Sequence, residues 1–109
     1  MISSVISTAF SGMAAQRTRM DAIASNIANA ETPGYARREV ELVSGPRGPV
    51  RAVAREATGK DGDVDLASEL GDLIDSKMAY EANVAVMETG MDMWDMLMSA
   101  LASEDRDQR

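Results

Sequence analysis

Apolar residues recur along the first thirty positions at steps of four and three. Ile6, Met13, Met20 and Ile27 form one series spaced by seven, and Ile2, Ala9, Gln16, Ile23 and Ala30 form a second. Interleaved, the two series make the stripe of a coiled-coil seam, with Gln16 as its one polar member. The pattern predicts a helix from Ile2 to about Ala30, roughly 40–45 Å long at about 1.5 Å per residue. Gly12 lowers helix stability by about 1 kcal/mol relative to alanine, so fraying is expected near the start. Thr32-Pro33-Gly34 ends the helix, because the residue before a proline leaves the helical region and the glycine then permits a turn.

After Tyr35 the period changes to two. Ala36, Arg38, Val40 and Leu42 alternate with Arg37, Glu39 and Glu41, and residues 44–49 (Ser-Gly-Pro-Arg-Gly-Pro) form a turn cluster before a second candidate strand from Val50. A β-hairpin over about 35–56 is predicted, although two strands alone are marginal in water. Residues 57–63 read as a loop. A second helix is expected from an N-cap at Asp65 to about Ala102, roughly 55 Å. Its seam comprises Leu66, Leu73, Tyr80, Met87, Trp94 and Leu101, interleaved with Leu70, Lys77, Val84, Met91 and Met98. Glu69 and Asp72 join Asp65 in the early turns, where acids suit the helix dipole. With Trp94 in the seam, Trp94→Ala is expected to cost about 3–5 kcal/mol. Ala79, Ala82, Val86, Thr89, Met93, Met96 and Ala100 make a further stripe on nearly the opposite face. Either these are good helix formers on a solvated face, or that face packs on other subunits.

The expected architecture is therefore mainly α. Two long antiparallel terminal helices form a coiled-coil-like hairpin with a short β-hairpin or irregular segment between them. The divisions are an N-terminal helix over 1–31, a turn and small hairpin over 32–63, a C-terminal helix over 64–102 and a disordered acidic tail over 103–109, one domain overall.

Composition changes this picture mainly by exclusion. The chain has 109 residues, nine methionines, no cysteine and no histidine, and a net charge of −7. Disulfides, cysteine-based zinc sites and histidine-dependent triads are ruled out. The charge is split between the halves, net +2 over residues 1–59 and −9 over 60–109. The acidic balance disfavours nucleic acid and anionic membrane. Neither a charged signal-peptide start nor a run of about 20 apolar residues is visible, so any passage out of the cytoplasm is expected to use another route.

Candidate chemistry is thin. Asp61, Asp63 and Asp65 have the spacing of a calcium loop, but Leu66 stands where such a loop requires glycine and Asp72 where it requires glutamate. Met91, Met93, Met96 and Met98 are thioethers divided between opposite helix faces, which prevents convergence on copper. Arg37, Arg38, Arg47, Arg51 and Arg55 form a basic middle segment with no interleaved aromatics beyond Tyr35, better read as a solvated or subunit-facing surface than as a nucleic-acid site. No catalytic, cofactor or metal site is expected. An assembly module with surplus apolar helix surface remains.

Two blocks then carry a resemblance. Residues 11–16 (Ser-Gly-Met-Ala-Ala-Gln) and 25–35 (Ser-Asn-Ile-Ala-Asn-Ala-Glu-Thr-Pro-Gly-Tyr) resemble the N-terminal signature of the bacterial flagellar basal-body rod, hook and hook-associated proteins, S-G-(M/L)-x-A followed by S-N-(I/L)-A-N-x-x-T-P-G-Y. Residues 64–70 and 79–83 resemble the paired C-terminal pattern V-(D/N)-x-x-x-E-(M/L) … (A/S)-Y-(E/Q)-A-N. The short segment between the helices is most like a small proximal rod protein. The resemblance implies a structural subunit of the flagellum, exported through the flagellar type III apparatus and polymerised with other rod subunits into the axial shaft and channel wall. A rod in the periplasm is the implied location. The other reading is a soluble helical-hairpin adaptor or regulator of flagellar assembly.

The motif and packing residues so implied are Ser11, Gly12, Met13, Ser25, Asn26, Ile27, Asn29, Thr32, Pro33, Gly34, Tyr35, Tyr80, Glu81, Asn83, Val84, Met87, Met91, Trp94 and Met98. For Asn26 and Asn29 two roles stand side by side, bonding to backbone or neighbouring subunits, and plain capping. Tyr80 is expected in the core, while Glu81 and Asn83 flank the seam, where partner choice is often set.

Overall fold

A computed structural model describes residues 2–46, 49–58 and 63–108. Helix α1 spans Ile2–Ala28, strand β1 Arg38–Ser44, strand β2 Val50–Glu56 and helix α2 Leu66–Asp107. The chain is mainly helical, with two long helices and a small antiparallel hairpin between them. Asp65 caps α2, its Oδ1 accepting from Ala67 N at 3.1 Å. No helix among the described residues is long and apolar enough to cross a membrane.

After Ala28 the chain tightens through short-range bonds, Ala30 N to Ile27 O at 3.3 Å and Thr32 N to Asn29 O at 3.0 Å. Tyr35 N then bonds Thr32 O at 3.2 Å, with Pro33 and Gly34 between them and Gly34 at φ +77°. This is the pattern of a type II turn, in which proline presets the first corner and glycine supplies the left-handed second one. β1 and β2 pair antiparallel from Arg38↔Glu56 to Ser44↔Val50. Both strands pack on α1, which gives the hairpin the support that two strands lack alone.

The helices run antiparallel along a seam shifted from the expected one. On α1 the series Ala9, Gln16 and Ile23 is buried, as expected. Its companion is Gly12, Arg19 and Asn26, one position before Met13, Met20 and Ile27, which are only half-buried. On α2, Leu73, Tyr80 and Met87 are half-buried along the expected line. Their companions are Glu69, Ser76, Asn83 and Gly90, each one position before the expected Leu70, Lys77, Val84 and Met91. The correction has a steric cause. A Cβ on Gly12 would lie 2.8 Å from the Asn83 amide, and one on Gly90 would lie 3.0 Å from Ile6 Cγ1. Small and polar residues occupy the line of closest approach, and the larger apolar side chains flank it.

Two further expectations are corrected. Trp94 is not seam core but 46% exposed. Ile6 already lies against Gly90, so α1 has nearly run out where Trp94 begins. The tail expected to be disordered after residue 102 is helical to Asp107. Nothing between Ser103 and Asp107 breaks a helix, and Arg106 stands in the last turn, where a cation suits the dipole. Helix α2 therefore has 42 residues against 27 in α1, and every residue from 91 to 108 is exposed. The whole is a rod of 74 × 25 × 14 Å.

Candidate functional site

Two features stand out, one at each end of the helix pair. At the turn end, Asn26 is fully buried and its amide is used at both ends. Oδ1 accepts from Arg38 N at 2.7 Å and from the Tyr35 hydroxyl at 3.0 Å. Nδ2 donates to Arg38 O at 2.9 Å and to Glu69 Oε2 at 3.3 Å. One side chain thus mimics a strand partner for the first residue of β1 and holds the start of α2. The Ser25 hydroxyl lies 3.0 Å from the Tyr35 hydroxyl.

Glu69 is also fully buried. Its Oε1 accepts a charge-assisted hydrogen bond from Arg37 Nε. Arg37 reaches Glu39 at 3.1 Å and Asp72 at 3.8 Å as well, while Asp72 is 3.7 Å from Arg19 of α1. The hydrogen bond to Glu69 holds the Arg37 guanidinium above its ordinary pKa; partial burial opposes this, and attraction to Glu69, Glu39 and Asp72 adds to it. Ala57 N donates to Arg37 O at 2.7 Å and closes the base of the hairpin. The result is a polar latch joining α1, the turn, the hairpin and α2.

At the opposite end lies the projecting part of α2. Met91, Met93, Trp94, Met96, Leu97, Met98 and Leu101 are between 40% and 72% exposed. An exposed apolar surface covering most of a helix's circumference is the kind that marks an interaction site. It carries Asp92 and Asp95 among its apolar groups. Beside it, Val5 of α1 and Ala85, Val86, Thr89, Gly90 and Met93 of α2 line a shallow apolar groove of about 260 Å³.

The structure gathers some of the expected motif residues and separates others. Gly12 meets Asn83 across the seam. Ser25, Asn26 and Tyr35 join in the latch. Asn29 donates to Ser25 O at 2.9 Å and accepts from Thr32 Oγ1 at 3.2 Å, so it caps and braces the turn within its own chain. Ser11 Oγ accepts from Val50 N at 3.1 Å and tethers the second strand. Met13, Ile27, Tyr80, Val84 and Met87 are half-buried beside the seam. Glu81 is exposed, 3.9 Å from Lys77, and Met91, Trp94 and Met98 stand clear of α1.

Sequence reasoning places Glu69, Arg37 and Arg38 in no site. Glu69 reads only as an acid near a helix start, and Arg37 and Arg38 as members of a basic surface. A carboxylate within the V-D-x-x-x-E block, on the seam side of α2, is the available signal. Arg47 of that surface lies outside the described residues, as does Asp61 of the calcium-like spacing. Among the described residues no group of three or more acidic side chains is arranged to hold a metal.

Residues 6–35, most of α1 together with the Thr-Pro-Gly-Tyr turn, match the family model described as flagella basal body rod protein. Over that segment the chain is similar to the flagellar basal body rod proteins. Comparison with curated proteins finds no match. The matched segment contains the latch residues Ser25, Asn26 and Tyr35 and the seam residue Gly12.

Proposed function

We propose that this chain is a structural subunit of the flagellar basal body rod, assembled with other rod components, and that it polymerises through its two terminal helices to form the axial shaft and the wall of the channel within it. The supporting observation is the projecting half of α2, a helix with apolar side chains exposed over most of its circumference and no partner helix among the described residues. Met91, Trp94 and Met98 are the subunit-packing residues in this reading, with Glu81 at their margin. The chain works as one domain, its two axial helices framing the small hairpin insert.

Export through the flagellar type III apparatus, and a final place in the periplasmic rod, belong to the same proposal. The buried apolar residues are Ala9, Ala15, Ala22, Ile23 and Ala57. A core built mostly of alanine removes little apolar area from water, so the monomer is weakly stable and easily unfolded for passage. The small hairpin between the helices favours a proximal rod position, where a large outer domain is not needed.

Electron microscopy of basal bodies from a deletion strain tests the role. Rods are expected to be missing or truncated, and intact rods sink the proposal. Sedimentation of the pure protein adds a second check: a loosely folded monomer that self-associates is expected, whereas a cooperatively melting monomer at all concentrations is what a soluble adaptor predicts.

A further inference from the structure

The projecting half of α2 has a complementary surface on the same chain. Phe10, Met13, Ala14, Arg17 and Asp21 of α1 line, with Tyr80 of α2, an open groove of about 470 Å³. Phe10 is 64% exposed. Arg17 is exposed and forms no ion pair among the described residues. From Ile2 to Met20 helix α1 contains no acidic residue, whereas α2 beyond Met91 carries Asp92, Asp95, Glu104, Asp105 and Asp107 against Arg106.

We propose that this groove receives the projecting α2 of a second copy of the chain, with Phe10, Met13 and Tyr80 packed on Trp94 and Met98, and Arg17 opposite Asp95. The inference rests on the polymerising reading above and names its contact. Charge selects this occupant. Two projecting helices laid side by side bring Asp92 and Asp95 of both copies together, while the groove meets them with Arg17, its one acid, Asp21, lying a turn further along α1. Length agrees. The 17 residues 91–107 of α2 extend about 25 Å, and residues 2–20 of α1 about 28 Å. A copy translated along the rod keeps its α1 antiparallel to the neighbour's α2, the relation the two helices already have within one chain. The two surfaces are different, so the contact is head-to-tail and leaves both free at the polymer ends, the condition for an open helical filament.

The natural absence of cysteine makes the test direct. Sedimentation first establishes whether the unsubstituted chain associates; full-length Phe10→Cys and Trp94→Cys chains are then mixed, above the raised threshold expected of them, and mildly oxidised. The mixed disulfide dimer is expected to exceed either homodimer by roughly tenfold. Association with cross-linking only between two Trp94→Cys chains, or with none between the two kinds of chain, overturns this contact and leaves polymerisation standing. Absence of any association of the unsubstituted chain overturns both. Arg17→Glu and Asp95→Arg are each expected to weaken association roughly tenfold, and the double variant to restore it. A double variant as weak as the sum of the two overturns the pairing.

Discussion

Arg37 and Glu69 form an ion pair whose partners are unequally placed, and that inequality predicts which loss hurts more. The Glu69 side chain is 1% exposed and that of Arg37 is 22% exposed. Arg37→Ala leaves a carboxylate inside the protein with only the Asn26 amide to solvate it, a loss of about 3–5 kcal/mol. Glu69→Ala leaves a guanidinium that still reaches water, Glu39 and Asp72, a loss of about 1–3 kcal/mol. Urea unfolding followed by helical circular dichroism should rank Arg37→Ala as the worse change; the reverse order means the carboxylate is wetter than the structure has it. Gly34 offers a cleaner backbone test. Nothing stands within 4 Å of where its Cβ would be, so Gly34→Ala acts only through its φ of +77°. The expected loss is about 1–2 kcal/mol, read by the same unfolding curves. The sequence marks this turn well, because Pro-Gly chemistry is local. It marks Asn26 as a residue with a role but not the role itself. Asn26 bonds to the backbone of its own β1 and to Glu69, 43 positions away, and no spacing rule reaches that far.

Both helices and the hairpin follow from periodicity, and so does one of the two lines of residues in each helix's seam. Periodicity misplaces the second line by one position in both helices for a single reason. Counting apolar residues favours Met13, Met20 and Ile27 over Gly12, Arg19 and Asn26, yet closely approaching helices need small groups at the crossing and bulky ones at its sides. Gly12 accordingly is not a weak point of α1 but the place where Asn83 fits. A methyl group there gains about 1 kcal/mol of helix propensity and meets the Asn83 amide at 2.8 Å. That amide is short and tied to Ala79 O at 3.1 Å, so it has little room to retreat. Overpacking costs about 1–3 kcal/mol, and the clash is expected to win. Gly71 on α2 is the control, because nothing lies within 4 Å of its Cβ position. Gly71→Ala should raise the thermal midpoint while Gly12→Ala lowers it. If both raise it, the helices do not approach as closely as the structure has them.

The molecule as a whole is two helices of unequal length, and the inequality takes Trp94 out of the seam core and, on the polymerising proposal, gives it an assembly role. Its exposure of 46% leaves roughly 100 Å² of apolar surface uncovered in the single chain. In the monomer Trp94→Ala is therefore expected to change stability by no more than about 1 kcal/mol. Once a neighbouring subunit covers that surface, about 25 cal/mol per Å² makes it worth about 2.5 kcal/mol per contact, close to two decades in affinity. A rod repeats the contact at every subunit, so a modest energy per site becomes a threshold concentration below which no polymer forms. Trp94→Ala should leave the melting curve of dilute protein nearly unchanged and raise that threshold by roughly 50- to 100-fold, measured by pelleting across a concentration series. The net charges of +2 and −9 on the two halves add a second reading of the same experiment. Where acidic α2 lies on the acid-free first part of α1, added salt screens the attraction within about 10 Å at 0.1 M and raises the threshold further; where like acidic helices lie together, salt lowers it. A melting midpoint that falls with Trp94→Ala while the threshold stays put returns Trp94 to the core and removes the projecting helix as the assembly surface.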